Sequence, residues 1–113
     1  MATILVVDDD EGVRNLVSTM LESVGNRTIV AANGAEAVAV YRSYANQIDL
    51  VVTDMNMPVM DGVQEIFRIR MTNPAAKIIC MTGDSGDRCP EGVVLLSRPF
   101  PLEKLLQAVK ELA

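Results

Sequence analysis

Oxygen-bearing and cationic side chains stand at the ends of four apolar runs, and together they could support phosphoryl chemistry. Asp8-Asp9-Asp10-Glu11 follows Thr3-Ile4-Leu5-Val6-Val7, Asp54 follows Leu50-Val51-Val52-Thr53, Thr82 follows Lys77-Ile78-Ile79-Cys80-Met81, and Arg98 comes just after Val93-Val94-Leu95-Leu96. Carboxylates crowded in this way repel one another, so a cation is their natural relief. Asp8 and Asp9 joined by Asp54 form a hard, all-oxygen donor set suited to Mg²⁺, and the backbone carbonyl of Asn56 could add to it. A carboxylate beside such an ion can attack phosphorus to give an aspartyl phosphate. The ion and Arg98 would neutralise equatorial oxygens while Thr82 donates a hydrogen bond. Taken singly, each residue has a plain structural explanation: a solvated turn, a helix cap at Asp10, a strand-end Thr, an Arg before proline. Their joint placement after successive strands is what points to chemistry.

The elements that must position these residues are legible from hydrophobic period. The runs 3–7, 50–53 and 77–81 are short, β-branched and apolar on both faces, as central parallel strands are, and 28–31 and 93–96 are weaker strands. Val13, Leu16, Val17, Met20, Leu21 and Val24 follow helical spacing, as do Leu102, Leu105, Leu106 and Val109. Asn33-Gly34 leads into an Ala-rich helix over 35–45, and Asp61-Gly62 into a helix carrying Val63, Ile66 and Phe67. Strands alternating with helices predict an α/β fold: a doubly wound, five-stranded parallel sheet with ligands at the carboxyl ends of its strands. Thr82 and Arg98 are separated by only fifteen residues, which must hold both a crossover and the fifth strand. Gly83, Gly86, Pro90 and Gly92 fall there, so the fourth helix is expected to be stunted or missing.

Composition narrows the function. The 113 residues suit one domain, and 50% apolar with 22% charged residues is ordinary globular composition. A formal net charge of −5 with no Lys/Arg run disfavours direct nucleic-acid binding. No apolar stretch is long enough to cross a bilayer, and Asp8 interrupts the N-terminus before a signal-peptide core could form, so no membrane association and a cytoplasmic address are expected. Cys80 and Cys89 have neither metal-ligand spacing nor a disulfide framework and read as structural. Met55, Met57 and Met60 read as packing residues, since thioethers are soft and every other candidate ligand is hard; Tyr41 and Tyr44 read as packing or surface residues. The chain contains no His, so any phosphohistidine donor must belong to another protein.

These residues resemble the receiver domain of two-component response regulators along the whole chain. Val6-Val7-Asp8-Asp9 is similar to the family's first acidic motif, Asp54-Met55-Asn56-Met57-Pro58 with Asp61-Gly62 to its phosphoacceptor loop, and Met81-Thr82-Gly83 to its switch residue. Arg98-Pro99-Phe100 stands where the family has Lys-Pro-Phe. The resemblance implies the flavodoxin-like strand order 2-1-3-4-5 and a single receiver domain over 1–113. It makes Asp54 the phosphoacceptor, with Mg²⁺ held by Asp9, Asp54 and the Asn56 carbonyl and with Asp8 acting through metal-bound water. It also implies Asn56 and Asp84 as modulators bordering the path of hydrolytic water, and a cis bond between Arg98 and Pro99. The partner implied is a sensor histidine kinase or phosphotransfer protein, and the implied activity is self-phosphorylation and autodephosphorylation rather than turnover of a substrate.

Two departures matter. Arg98 replaces a compact ammonium with a planar fork, and Leu95 stands where many relatives carry a mobile aromatic side chain. With a shortened fourth helix, the output face is remodelled, and either 83–92 folds back as a lid over the apolar residues 93–96 or a second copy or a protein partner packs on the 83–97 region. Two other readings compete. A degenerate receiver would bind partners independently of phosphorylation. A phosphatase of the haloacid-dehalogenase type would also use an Asp nucleophile and Mg²⁺, but this chain lacks the later acidic pair of that scheme. Short crossovers of this kind suit free-standing receivers and those attached to hybrid kinases alike.

Overall fold

The computed structural model describes residues 2–55, 62–82, 89–97 and 100–112. Nine elements alternate along them: β1 (Thr3–Val7), α1 (Glu11–Ser23), β2 (Arg27–Ala31), α2 (Gly34–Tyr44), β3 (Leu50–Asp54), α3 (Gly62–Thr72), β4 (Ile78–Thr82), β5 (Val94–Ser97) and α4 (Leu102–Leu112). All pairings are parallel, and the sheet order is β2-β1-β3-β4-β5. This is the flavodoxin-like arrangement expected from the sequence. Among the described residues no helix lies between β4 and β5, where residues 91–92 form a turn with Gly92 at φ +83.

The sheet forms as it does because its middle strands cannot face water on either side. Every residue of β3 and β4 is buried, as is all of β1 beyond Thr3. Side chains alternate between two apolar layers. Leu5, Val7, Val51 and Cys80 join Ala37, Tyr41, Ile66 and Ile69 from α2 and α3, while Ile4, Val6, Val52 and Met81 join Val17, Leu21, Leu105 and Val109 from α1 and α4.

The helices start and stop where local chemistry directs. Asp10 caps α1, its Oδ1 accepting from the Gly12 and Val13 amides at 2.9 and 3.2 Å. The helix ends in a paired turn, with Asn26 N–H donating to the Leu21 carbonyl at 3.2 Å and Gly25 N–H to Glu22 at 3.1 Å. Gly25 adopts φ +94, which favours glycine. Asn33 caps α2 by accepting from the Glu36 amide at 2.8 Å.

Three expectations about side-chain placement fail. Leu16, Val24 and Phe67 fit an apolar helical stripe by spacing, yet they are 53%, 56% and 64% exposed. Val17 and Leu21 take the inward face of α1 and Ile66 and Ile69 that of α3, which turns the neighbouring side chains outward. β5 is also less two-sided than its run of aliphatics suggests. Leu96 is buried, Val93 and Val94 pack against opposite layers, and Leu95 alone of the four is exposed.

Candidate functional site

Strand ends build the site. β1 hands the chain to α1 through Asp8, Asp9 and Asp10, and these three acids divide the work. Asp10 is committed to the helix cap, so its carboxylate serves the backbone. Asp8 is 1% exposed, and its Oδ1 accepts from the Asp10 amide at 2.9 Å. Its carbonyl accepts from Arg14 Nη1 at 2.8 Å and its N–H donates to Ala31 at 3.2 Å, which anchors the turn to both α1 and β2. Asp9 is exposed.

β3 pairs directly with β1, Val7 standing opposite Thr53, so the next residue, Asp54, reaches the same rim. Asp54 is buried, and carboxylate oxygens of Asp8, Asp9 and Asp54 all lie within 4.8 Å of one another. Three carboxylates at that spacing, one exposed and two buried, form a donor set chemically suited to a small hard cation with its waters. On the other side of β3, Asp54 pairs with Met81, and the Met55 amide donates to the Met81 carbonyl at 3.0 Å. Thr82, the next residue of β4, is therefore buried one register step from Asp54's partner, at the same end of the sheet. The structure thus brings together Asp8, Asp9, Asp54 and Thr82. Arg98, Pro99, Asn56 and Asp84 lie outside the described residues, as do Met57, Met60 and Asp61.

Sequence reasoning passed over a second polar group behind the first. Glu65, in the first turn of α3, is fully buried, and its Oε1 accepts from the Thr53 hydroxyl at 2.6 Å. Its Oε2 is buried with no hydrogen-bond partner among the described residues. Burial pushes the Glu65 carboxyl up to about 8; the Thr53 hydrogen bond partly opposes this, and the nearby Asp54 charge adds to it. A signal for this group existed: Glu65 falls on the inward stripe of α3 with Gly62, Ile66 and Ile69. Gly62 itself abuts the end of β3. Its N–H donates to the Met55 carbonyl at 3.1 Å, and a Cβ there would stand 2.5 Å from Met55 Sδ and 2.8 Å from Met55 Cα.

Both cysteines are free thiols. Burial, then the neighbouring Cys89 and Glu65, push the Cys80 thiol up to about 12 against a smaller downward pull from Arg70. Beside them, α3 exposes Phe67 and Met71 along an apolar groove of about 400 Å³ that Val63, Ile66, Arg70 and Pro90 complete. Exposed apolar surface therefore lies on α3 as well as at Leu95 of β5.

A parallel 2-1-3-4-5 sheet carrying an acidic trio and a Thr at its carboxyl edge defines a phosphoacceptor-type α/β domain. The family model described as the response regulator receiver domain matches residues 4–110, and the chain belongs to that family. The family is one of signalling phosphoacceptors in two-component systems, which leaves the dehalogenase-type reading without support. Among curated relatives, the chain is similar to the autoinducer 1 sensor kinase/phosphatase LuxN of Vibrio campbellii, at 41% identity over 76% of this chain and 10% of that protein. It is also similar to sporulation initiation phosphotransferase F of Bacillus subtilis, at 32% identity over 96% of this chain and 90% of that one. The chain thus spans about a tenth of the sensor kinase and nearly all of the phosphotransferase. Among solved structures, response regulator TrrA of Thermotoga maritima, in complex with Mg²⁺ and a beryllofluoride, superposes with a TM-score of 0.85 at 31% identity, each chain fully covered. No helix among the described residues is long and apolar enough to cross a membrane.

Proposed function

We propose that the chain works as one receiver domain over residues 1–113, accepting a phosphoryl group on Asp54 from the phosphohistidine of a sensor kinase or phosphotransfer protein. The observation that carries this reading is the convergence of Asp8, Asp9 and Asp54 within 4.8 Å at the carboxyl edge of the sheet. The 113 residues contain no His, so the phosphohistidine donor lies outside them. Bound Mg²⁺ supplies neutralisation of charge on the phosphoryl oxygens. Asp9, Asp54 and the Asn56 carbonyl would hold the ion, with the buried Asp8 carboxylate beside them to orient its hydration. Burial of Asp54 keeps bulk water from the acyl phosphate, while Asn56 and Asp84 set how quickly hydrolysis ends the signal. Thr82 donates to the new phosphoryl group and Arg98 pairs with it. The movement of Thr82 alters the segment 83–97, where a protein partner or a second copy reads the state.

The test is incubation with acetyl phosphate and Mg²⁺, followed by intact-mass measurement. The wild-type chain should gain one phosphoryl group, while Asp54→Asn and a sample treated with chelator should gain none. A folded wild-type chain that stays unmodified, and that also ignores beryllofluoride with Mg²⁺, would refute the reading.

The replacement of the family's Lys by Arg98 favours a second reading, in which the domain binds its partner without phosphorylation. Stoichiometric labelling of Arg98→Lys beside an inert, folded parent would establish that alternative.

A further inference from the structure

We propose that Glu65 is a positioning residue for the phosphoacceptor: through the Thr53 hydroxyl it clamps α3 to the end of β3 and fixes the place of Asp54. The proposal deepens the phosphorylation reading and rests on it for its effect on rate. The clamp itself stands on the geometry of residues 53–65.

A fully buried carboxyl is a poor choice for stability alone. Its neighbours on the inward face of α3 are Ile66 and Ile69, and a leucine would fill the same place without leaving Oε2 unsatisfied. What the carboxyl provides instead is one short bond, and that bond goes to the residue immediately before Asp54. Thr53 has a single hydroxyl hydrogen and two acceptors in reach. Glu65 Oε1 at 2.6 Å takes it in preference to the Asp54 carbonyl at 3.3 Å.

The bond is also the outer of two nested ties. Inside it, the Gly62 amide donates to the Met55 carbonyl at 3.1 Å, and the absent side chain of Gly62 lets α3 lie against Met55. One tie joins α3 to the end of β3 and the other to the residue just beyond it, and together they bracket the stretch between Asp54 and α3. The end of β3 is held laterally by β1 and β4. The Thr53–Glu65 bond adds a hold from the helical layer, at the residue whose backbone leads directly into Asp54. Loss of that hold lets the strand end shift relative to Asp8 and Asp9, which sit on a turn anchored separately through Arg14 and Ala31.

The experiment compares Glu65→Leu, Glu65→Gln, Thr53→Val and the Thr53→Val/Glu65→Leu double variant at neutral pH. Two readouts are taken from each full chain: labelling by acetyl phosphate with Mg²⁺, and amide hydrogen exchange at Gly62 without metal or phosphodonor. Glu65→Leu and Thr53→Val should each slow labelling about ten-fold or more and speed Gly62 exchange, while the unfolding midpoint of Glu65→Leu matches or exceeds that of wild type. Gln keeps an acceptor for Thr53 and should restore both readouts. The double variant should be no slower than either single, because both remove the same bond. Wild-type Gly62 exchange in both Glu65→Leu and Thr53→Val, or a Gln variant as impaired as the Leu variant, overturns the clamp. Normal labelling with altered exchange overturns its role in positioning. Should wild type itself resist labelling, the phosphorylation reading fails and the exchange data alone decide the clamp. If Glu65→Leu does not fold, Thr53→Val carries the test from the other partner.

Discussion

Replacing Glu65 by Gln should make the protein more stable, by an amount that grows with pH. The buried carboxyl titrates at about 8 when folded and at its ordinary 4.5 when exposed. Below pH 4.5 both states hold the proton and ionisation contributes nothing. Between 4.5 and 8 the unfolded chain releases the proton while the folded chain retains it, so stability falls by about 1.4 kcal/mol per pH unit. Above 8 both states are ionised and the loss levels off at about 5 kcal/mol. At pH 7 the Gln variant should therefore exceed wild type by about 3 kcal/mol, a large share of the roughly 5–15 kcal/mol that holds a domain together. Gln keeps the volume and the acceptor for Thr53 but cannot ionise. Titrating groups that do not interact with Glu65 are common to both proteins and cancel in the difference, while its coupling to Asp54 is part of the effect being measured. The assay is urea unfolding of both chains from pH 5 to 9, with chelator present so that no cation compensates the acidic cluster. A difference that stays flat with pH, or that narrows as pH rises, would refute the assignment of a proton to buried Glu65.

Other consequences are as direct. Asp10→Ala removes the acceptor for two amides of α1 and should cost about 1 kcal/mol in urea unfolding, whereas loss within error would deny that the cap is made. Gly62→Ala forces a methyl group against Met55 backbone and should destabilise by about 1–3 kcal/mol, with Gly62→Ser no better; tolerance of both would mean that α3 is free to move outward. A thiol reagent should modify half-buried Cys89 rapidly and Cys80 only in denaturant, since Cys80 is buried and its thiol is held up to about 12; equal native rates would contradict this.

The sheet was legible because its middle strands are apolar on both faces, and only a parallel sheet between helical layers buries such runs. One boundary moved by a residue at Asp54, which sequence places just after its strand, while Thr82 ends β4 as the sequence expects. Hydrogen bonding with neighbours draws Asp54 into the ladder, opposite Met81, and Thr82 pairs with Ser97. The acidic cluster was equally legible, since strand order alone puts Asp54 beside the β1 turn. Glu65 was not. In Val63-Gln64-Glu65 it reads as one more polar residue of a solvated helix, and only its phase with Ile66 and Ile69 marks it as inward. The same phase explains Phe67: once Ile66 and Ile69 point inward, Phe67 and Met71 must share the outward face of α3.

The two faces of the sheet consequently serve Asp54 in different ways. Val52 and Met81, on one face, pack in the apolar layer of α1 and α4 around Leu105. Thr53 faces the other layer, in register with Val7 and Cys80, and there meets a carboxyl whose protonation responds to the charge on Asp54. That layer also holds Cys89, Val93 and, along α3, the groove beside Phe67 and Met71. A change of charge at Asp54 thus bears on Glu65 and so on the helix that carries the most exposed of the large apolar side chains, Phe67 and Met71. On the α1 side the acidic turn is tied back to the helix instead, the Asp8 carbonyl accepting from Arg14 Nη1 at 2.8 Å. Asp54 is therefore connected to an outward-facing surface through Thr53, Glu65 and α3.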